Sequence, residues 1–419
     1  MARFLVTAMP FTGHVAPLCA VAEALVNRGH DVRFYTGAAF RAKVEATGAT
    51  FAPWRTAPDF DENDVQATFP RLTGRKGVSQ LMINMEDLFI ATSPRQVSDL
   101  THEWKREPWD AIVADETSVG AALFAERAGC HWATVAVIPL NMTVTQGPPS
   151  GLGLAPGTNI FSKARDAALR AVVPLFTRPL KAPLRRAREA VGLTPESPTF
   201  EKAVFSRELV LASGSPLLDF DRGGRPDHVH FIGRPAVDVA SATLPAWWAD
   251  LDGRTVVHVT QGTQNIDPGD LIRPTIEALA DRDVLLVVAT GVTGQDSLPF
   301  PVPANVRVAG FLPYAALLPR VDLMVTNGGW GGTLAALSHG IPLVIAGGDL
   351  DKPEIACRVA WTGAGVNLRT GTPTAAKVAA GVERVTTDPS FRDAASRVGD
   401  QLTSLGGADR AAELLEAFA

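Results

Sequence analysis

Short apolar runs alternate with stretches of helical spacing along the first third of the chain. Residues 4–8 (FLVTA) form a mostly apolar run, as expected of a strand buried on both faces. Gly13 follows, and residues 17–26 return to a helical period. The same alternation predicts a strand at 32–36, a short helix at 40–46, a strand at 111–114, a helix at 118–128 and a strand at 132–137. Between them, residues 55–95 mix Pro, Asp, Phe and Met with little period. Residues 146–159 (QGPPSGLGLAPGTN) are a Gly/Pro-rich loop, long enough to suggest a functional role, and 161–192 reads as helical. The pattern pauses at 213–228, rich in Gly, Asp, Arg and Pro, and then restarts. Strands are predicted at 255–259, 284–289, 306–308, 323–325 and 343–346.

Strands alternating with helices imply parallel sheets with right-handed crossovers. The expected architecture is α/β: two Rossmann-like, doubly wound domains facing a cleft. The boundaries read as 1–213, a linker at 214–230, a second domain at 231–400 and a closing helix at 401–419 that packs back on the first domain. Ligands of such sheets bind outside the carboxyl ends of the strands.

Composition narrows the function. The chain has 419 residues, 46% hydrophobic and 20% charged, which suits two packed domains. Its net charge is −5 and no long basic run occurs, so a nucleic-acid partner is not expected. Three scattered cysteines, Cys19, Cys130 and Cys357, fit neither a disulfide framework nor a zinc site. No run of about 18 apolar residues is available to span a membrane. A reducing cytoplasm is the expected compartment.

Candidate chemistry clusters in three places of the second half. Val308 to Tyr314 (VAGFLPY) turns after a strand and sets Phe311 where its face can stack on a base, with Leu312 offering backbone groups. Asn327-Gly328-Gly329-Trp330-Gly331-Gly332-Thr333 ends a strand and opens a helix. Glycines let amides approach an anion, and a helix N-terminus supplies partial positive charge, so a diphosphate fits there without a metal. Gly347 to Pro353 (GGDLDKP) follows the next strand, and its acids, Asp351 among them, can accept hydrogen bonds from sugar hydroxyls. Read singly, each is also an ordinary turn of a Rossmann-like domain.

As a set these motifs resemble family 1 glycosyltransferases, the inverting GT-B enzymes that include plant and macrolide glycosyltransferases. The resemblance rests on Phe311-Leu312-Pro313, the 327–333 loop, Gly340-Ile341-Pro342, Asp351-Lys352 and, in the first half, Pro10-Phe11-Thr12-Gly13-His14-Val15-Ala16-Pro17. It implies a metal-independent transfer from a nucleotide sugar to a small acceptor, with no resident cofactor. The sugar donor is the co-substrate, UDP- or dTDP-linked. Donor contacts are implied at Gly13, Thr263, Phe311, Leu312, Asn327, Gly328, Gly329, Trp330, Gly331, Gly332, Thr333, Asp351 and Lys352. Three positions depart from the family. Asn327 replaces a phosphate-binding His, Ala335 a ribose-clamping Glu and Lys352 a sugar-binding Gln. Loss of the clamp favours a 2′-deoxyribose donor, and Lys352 can touch donor oxygens or pair with Asp349 or Asp351.

Transfer to a hydroxyl needs a base, and histidine titrates near the required pH, at about 6.5 unperturbed. His14 lies in the turn after the first strand. Asp115 ends a strand whose edge it shares, where a carboxylate would fix the tautomer and stabilise the imidazolium. The resemblance gives this pair the roles of base and orienter. Read alone, His14 could cap its helix, and Glu116 competes with Asp115. On the acceptor side, Met82, Met85, Phe89 and Met142 suggest an apolar pocket for a phenolic or polyketide compound, or else belong to the core. A nucleotide-sugar 2-epimerase and a non-catalytic sugar-nucleotide-binding partner protein stand as alternatives. A monomer or homodimer is expected.

Overall fold

A computed structural model describes residues 1–75, 77–195, 199–220, 225–236, 244–262, 267–292 and 294–419. Its strands form two parallel sheets. The first uses β1 (Arg3–Thr7), β2 (Asp31–Thr36), β3 (Thr50–Pro53), β4 (Ala111–Asp115), β5 (His131–Ala136), β6 (Leu209–Ser213) and β7 (Val229–Gly233) in the order β3-β2-β1-β4-β5-β6-β7. The second uses β8 (Val256–Thr260), β9 (Leu285–Ala289), β10 (Val306–Ala309), β11 (Leu323–Thr326), β12 (Leu343–Ile345) and β13 (Gly365–Asn367) in the order β10-β9-β8-β11-β12-β13. The central strands are buried on both faces: all five residues of β4, β6, β8 and β9 are buried. That is why they read as unbroken apolar runs.

Both sheets reverse their winding at one point, between β1 and β4 in the first and between β8 and β11 in the second. A crevice opens where neighbouring crossovers diverge, and it favours ligands. The turn carrying His14 follows β1, and Asp115 closes β4. Asn327 follows β11, and Gly262 follows β8. The register Thr7↔Ala114 brings the first two ends level, as Thr326↔Thr260 does for the second pair.

The expected linker at 214–230, with a second domain starting at 231, needs correcting. Val229–Gly233 pairs in parallel with β6 and completes the first sheet as its seventh strand. The Gly/Asp/Arg/Pro composition that suggested a linker belongs to the stretch between two strands of one sheet. The chain's last part divides into two helices. Ser390–Ser404 packs on the second domain's core. Gly407–Phe418 lies on the helix Thr12–Asn27 and buries Ala411, Ala412 and Leu415 in the first domain's core. Glu416 fastens it there, accepting bonds from Arg28 (2.6 and 2.9 Å) and facing His30 at 2.8 Å.

The described residues of the aperiodic region 55–95 are structured. Trp54, Phe60, Phe69, Leu72, Leu88 and Ile90 are buried in one cluster with strand residues. The helix Gly77–Ile83 runs into a wider π-helical stretch, Asn84–Ile90.

The two domains meet over polar bonds as well as apolar contacts. Arg358, 1% exposed, donates to Glu354 and Asp219 at 3.0 Å each and to the Leu140 carbonyl at 2.9 Å. The Trp330 indole donates to Ser213 Oγ at 2.9 Å, at the end of β6.

Candidate active site

The helix Thr12–Asn27 begins directly after β1, with extended Phe11 as its N-cap residue and no side-chain cap. His14 therefore stands on its first turn, at the mouth of the crevice, with its side chain 16% exposed. Its Nδ1 lies 3.2 Å from Asp115 Oδ2 and 3.2 Å from Thr117 Oγ1. Thr117 spends its one hydroxyl proton on Asp115 Oδ1 at 2.8 Å, so toward His14 it can only accept. Both neighbours of Nδ1 are thus acceptors, which puts the proton on Nδ1 and leaves Nε2 free. Asp115 is held in turn by the amides of Met9 and Thr117, each at 2.7 Å.

The electrostatics follow from that cage. Burial opposes the imidazolium of His14. The charge and hydrogen bond of Asp115, with the charges of Glu116 and Asp351, outweigh it and hold the pKa above 6.5. Burial likewise penalises the Asp115 carboxylate, but His14, the Met9 amide and Thr117 lower its pKa below the ordinary aspartate value. Glu116 is no rival for Asp115. It turns to the end of β5 and accepts from the amides of Val137 and Ile138. Burial, offset by the charge of His14, pushes it up to about 7.

Across the crevice, Asn327 follows β11, and Gly329 is the N-cap residue of the helix Trp330–Ser338. Gly328 sits at φ +91°, and a Cβ there would meet Ile345 at 2.8 Å, so this turn requires glycine. Gly331 and Gly332 differ: a Cβ on either meets nothing within 4 Å. The same holds for Gly13 opposite. The space over the helix start is open to its first amides, which lack intrahelical acceptors.

Several side chains in this loop face inward, against expectation. Asn327 donates its amide to the Gln261 carbonyl, tying the ends of β8 and β11 together. Thr333 is fully buried, and its hydroxyl has no partner among the described residues. Trp330 is buried, hydrogen-bonded to Ser213 and stacked under Gly214. Lys352 is buried and paired with Asp349 at 2.7 Å, while the charge of half-buried Asp351 adds to the rise in the His14 pKa. Phe311, 55% exposed, stands free after β10, while Leu312 is buried. Ala335 lies in the core. Thr263 falls outside the described residues.

Met82, Met85, Phe89 and Met142 are all half-buried against the first domain's core, so each is shared between core and surface. Sequence reasoning missed Thr117, two residues past Asp115, whose side chain closes back on that carboxylate as Ser and Thr commonly do in turns. It also missed Phe11, whose ring lies 5.7 Å from that of His14, and Glu62, which accepts from the Thr12 amide at 2.8 Å. Glu62 comes from the aperiodic region, where no pattern marks it. His258 is a core residue: it faces the Val287 carbonyl at 2.8 Å and the Tyr314 hydroxyl at 3.1 Å, and burial lowers its pKa to about 4.

Two switch-point crevices facing each other, one with a His–Asp pair and one with a glycine-rich helix start, define a two-domain GT-B fold. Solved structures share it. The glycosyltransferase of kitacinnamycin aligns with a TM-score of 0.72 at 22% identity, over 100% of this chain and 99% of that one. The spinosyn rhamnosyltransferase SpnG complexed with thymidine diphosphate aligns at 0.72 and 19%, over 99% and 100%. Residues 273–417 match the erythromycin biosynthesis protein CIII-like, C-terminal domain. The 4'-demethylrebeccamycin synthase of Lentzea aerocolonigenes is 40% identical over 99% of each chain, and UDP-glucosyltransferase B1 of Starmerella bombicola is 33% identical over 94% of this chain and 93% of its own. The chain belongs to this family of glycosyltransferases and is itself one. These relatives lend no support to an epimerase.

Proposed function

We propose that the enzyme moves a glycosyl group from a nucleoside diphosphate sugar to a hydroxyl of a small apolar acceptor, with inversion. The observation that carries this reading is the His14–Asp115 pair, with His14 Nε2 unpaired among the described residues, across from an open helix start. Nε2 takes the acceptor's proton as its oxygen attacks the anomeric carbon, and the sugar–phosphate bond breaks on the opposite face. Asp115 stabilises the imidazolium that forms. The departing diphosphate gains charge where the first amides of Trp330–Ser338 and the helix dipole offset it. Phe311 offers its ring to the base, and Asp351 an acceptor to the sugar hydroxyls.

Ala335 supplies no carboxylate for a ribose diol, which leaves both UDP- and dTDP-sugars as donors. The names of relatives support the first, and the thymidine diphosphate complex of a structural neighbour supports the second. An intact, hydrogen-bonded His14 speaks against a merely binding role. The three unpaired cysteines suit a reducing compartment such as the cytoplasm.

The test incubates the protein with UDP- and dTDP-sugars and mixed phenolic and macrolactone acceptors, measuring nucleotide release and product mass. Acceptor-dependent release is expected, and His14→Ala should lower it by about a hundredfold or more while keeping donor affinity. Undiminished transfer in that variant would remove His14 from the mechanism.

A further inference from the structure

The helix Ile160–Thr177 stands largely off the body of the protein. It has 18 residues, and Asp166 alone among them is buried. Asp166 anchors it, accepting from the Gly157 amide at 2.7 Å and from Arg165. A capping box of Asn159 and Ser162 starts the helix. At 3.6 residues per turn, Phe161, Ala168, Val172 and Leu175 line one face, with Phe176 beside them. All are exposed, Phe161 by 85%, Leu175 by 64% and Phe176 by 66%. A stripe this long on a soluble surface marks an interaction site.

Charge says what covers it. Residues 160–189 hold eight Lys and Arg against two acids, in a chain whose net charge is −5, and all of these cations but Arg188, which is buried against Glu126, are exposed or half-buried. The next helix, Lys181–Ala190, docks by Pro183, Leu184 and Ala187 and shows Lys181, Arg185 and Arg186 outward. Arg178 is exposed between the two helices. A second copy on a two-fold axis would set this positive face against itself. A nucleic acid would engage the cations and leave Phe161, Leu175 and Phe176 in water. Apolar rings on a helix about 27 Å long, with basic residues beside them, match the interface of an anionic bilayer. No described helix is long and apolar enough to cross a membrane, so such a contact lies in the surface plane.

We propose that this face docks the enzyme on an anionic lipid surface. The position has a use if the acceptor is apolar, as proposed above. The loop leading into the helix contacts the second domain through Gly153, whose amide donates to Glu354 at 2.9 Å. Glu354 lies two residues past Lys352, so one loop separates the docked helix from the sugar-facing acids. An acceptor dissolved in the bilayer would have a short path to the cleft.

The experiment sediments the full chain with vesicles of phosphatidylcholine, with and without phosphatidylglycerol, at low and high salt. Binding is expected only with the anionic lipid, and high salt should weaken it. Leu175→Ser with Phe176→Ser should cut binding about tenfold or more. Arg178→Glu with Lys181→Glu should remove the preference for phosphatidylglycerol. Both variants should keep the wild-type circular dichroism and transfer to a water-soluble acceptor without vesicles, so that lipid binding is scored apart from catalysis. The proposal is overturned if neither vesicle pellets the protein, or if the variants pellet as well as wild type. Light scattering that shows a dimer split by the Leu175 and Phe176 changes would assign the face to a second copy. Retention on poly-glutamate without vesicle binding would assign it to an acidic macromolecule.

Discussion

In the proposed role of base His14 acts only in its neutral form, and its cage decides at which pH that form dominates. Asp115 raises the His14 pKa against the effect of burial. Transfer in the wild type should therefore rise with pH through a midpoint above 6.5. Asp115→Asn removes the main stabilising charge and leaves burial, so the same limb of kcat/KM should move to lower pH. The plateau should fall by about a hundredfold, because the imidazolium formed in the transition state loses its counter-charge. Glu116, at about 7, titrates in the same window, but its carboxylate serves the Val137 and Ile138 amides. Glu116→Gln should therefore leave the limb in place to within the small contribution of its charge. If the limb instead follows Glu116 and ignores Asp115, the base assignment fails. The readable strand and helix ends put His14 and Asp115 on one sheet edge, and the family resemblance gave the pair its expected roles. Thr117, which fixes the tautomer by accepting at Nδ1, carries no such mark.

Two kinds of glycine meet in the loop after β11, and they separate fold from ligand. Gly328 is required by its backbone, whereas Gly331 and Gly332 lie in a helix over open space. A methyl group added at Gly332 costs the protein nothing in contacts and lowers the entropy lost on helix formation. Gly332→Ala should therefore raise stability by up to about 0.5–1 kcal/mol in thermal unfolding. It should also weaken nucleotide binding by about tenfold, measured by calorimetric titration, since the methyl occupies the approach to the first amides. Equal binding in wild type and variant would place the diphosphate elsewhere. Elements of this kind were legible because buried parallel strands leave unbroken apolar runs. Val229–Gly233 was not: His230 interrupts it, and Gly, Asp, Arg and Pro precede it. Gly365–Asn367 spans only three residues. In 55–95 a π-helical stretch shifts the period, so Leu88 and Ile90 reach the core without a helical spacing to announce them.

At the scale of the whole molecule, the domains are coupled by a cation that solvent barely reaches. Arg358 binds Glu354 within its own helix, Asp219 just past β6, and the Leu140 carbonyl of the first domain. Each acid has a second donor. Gly153 donates to Glu354, and Arg225 donates to Asp219 at 2.5 Å. The network thus ties the loop before the exposed helix, the crossing toward β7 and the helix Lys352–Thr362 into one unit. A buried pair adds little net stability over an apolar replacement, but removing one partner strands the other. Arg358→Met should accordingly lower stability by about 3–5 kcal/mol in urea unfolding. Adding Glu354→Gln and Asp219→Asn to that variant should recover part of the loss, because both remaining charges disappear while their amide and arginine donors keep an oxygen to bind. A single variant within about 1 kcal/mol of wild type, or a triple variant less stable than the single, would show that the acids are satisfied without Arg358. The coupling between domains would then rest on the apolar seam around Trp330 and Gly214.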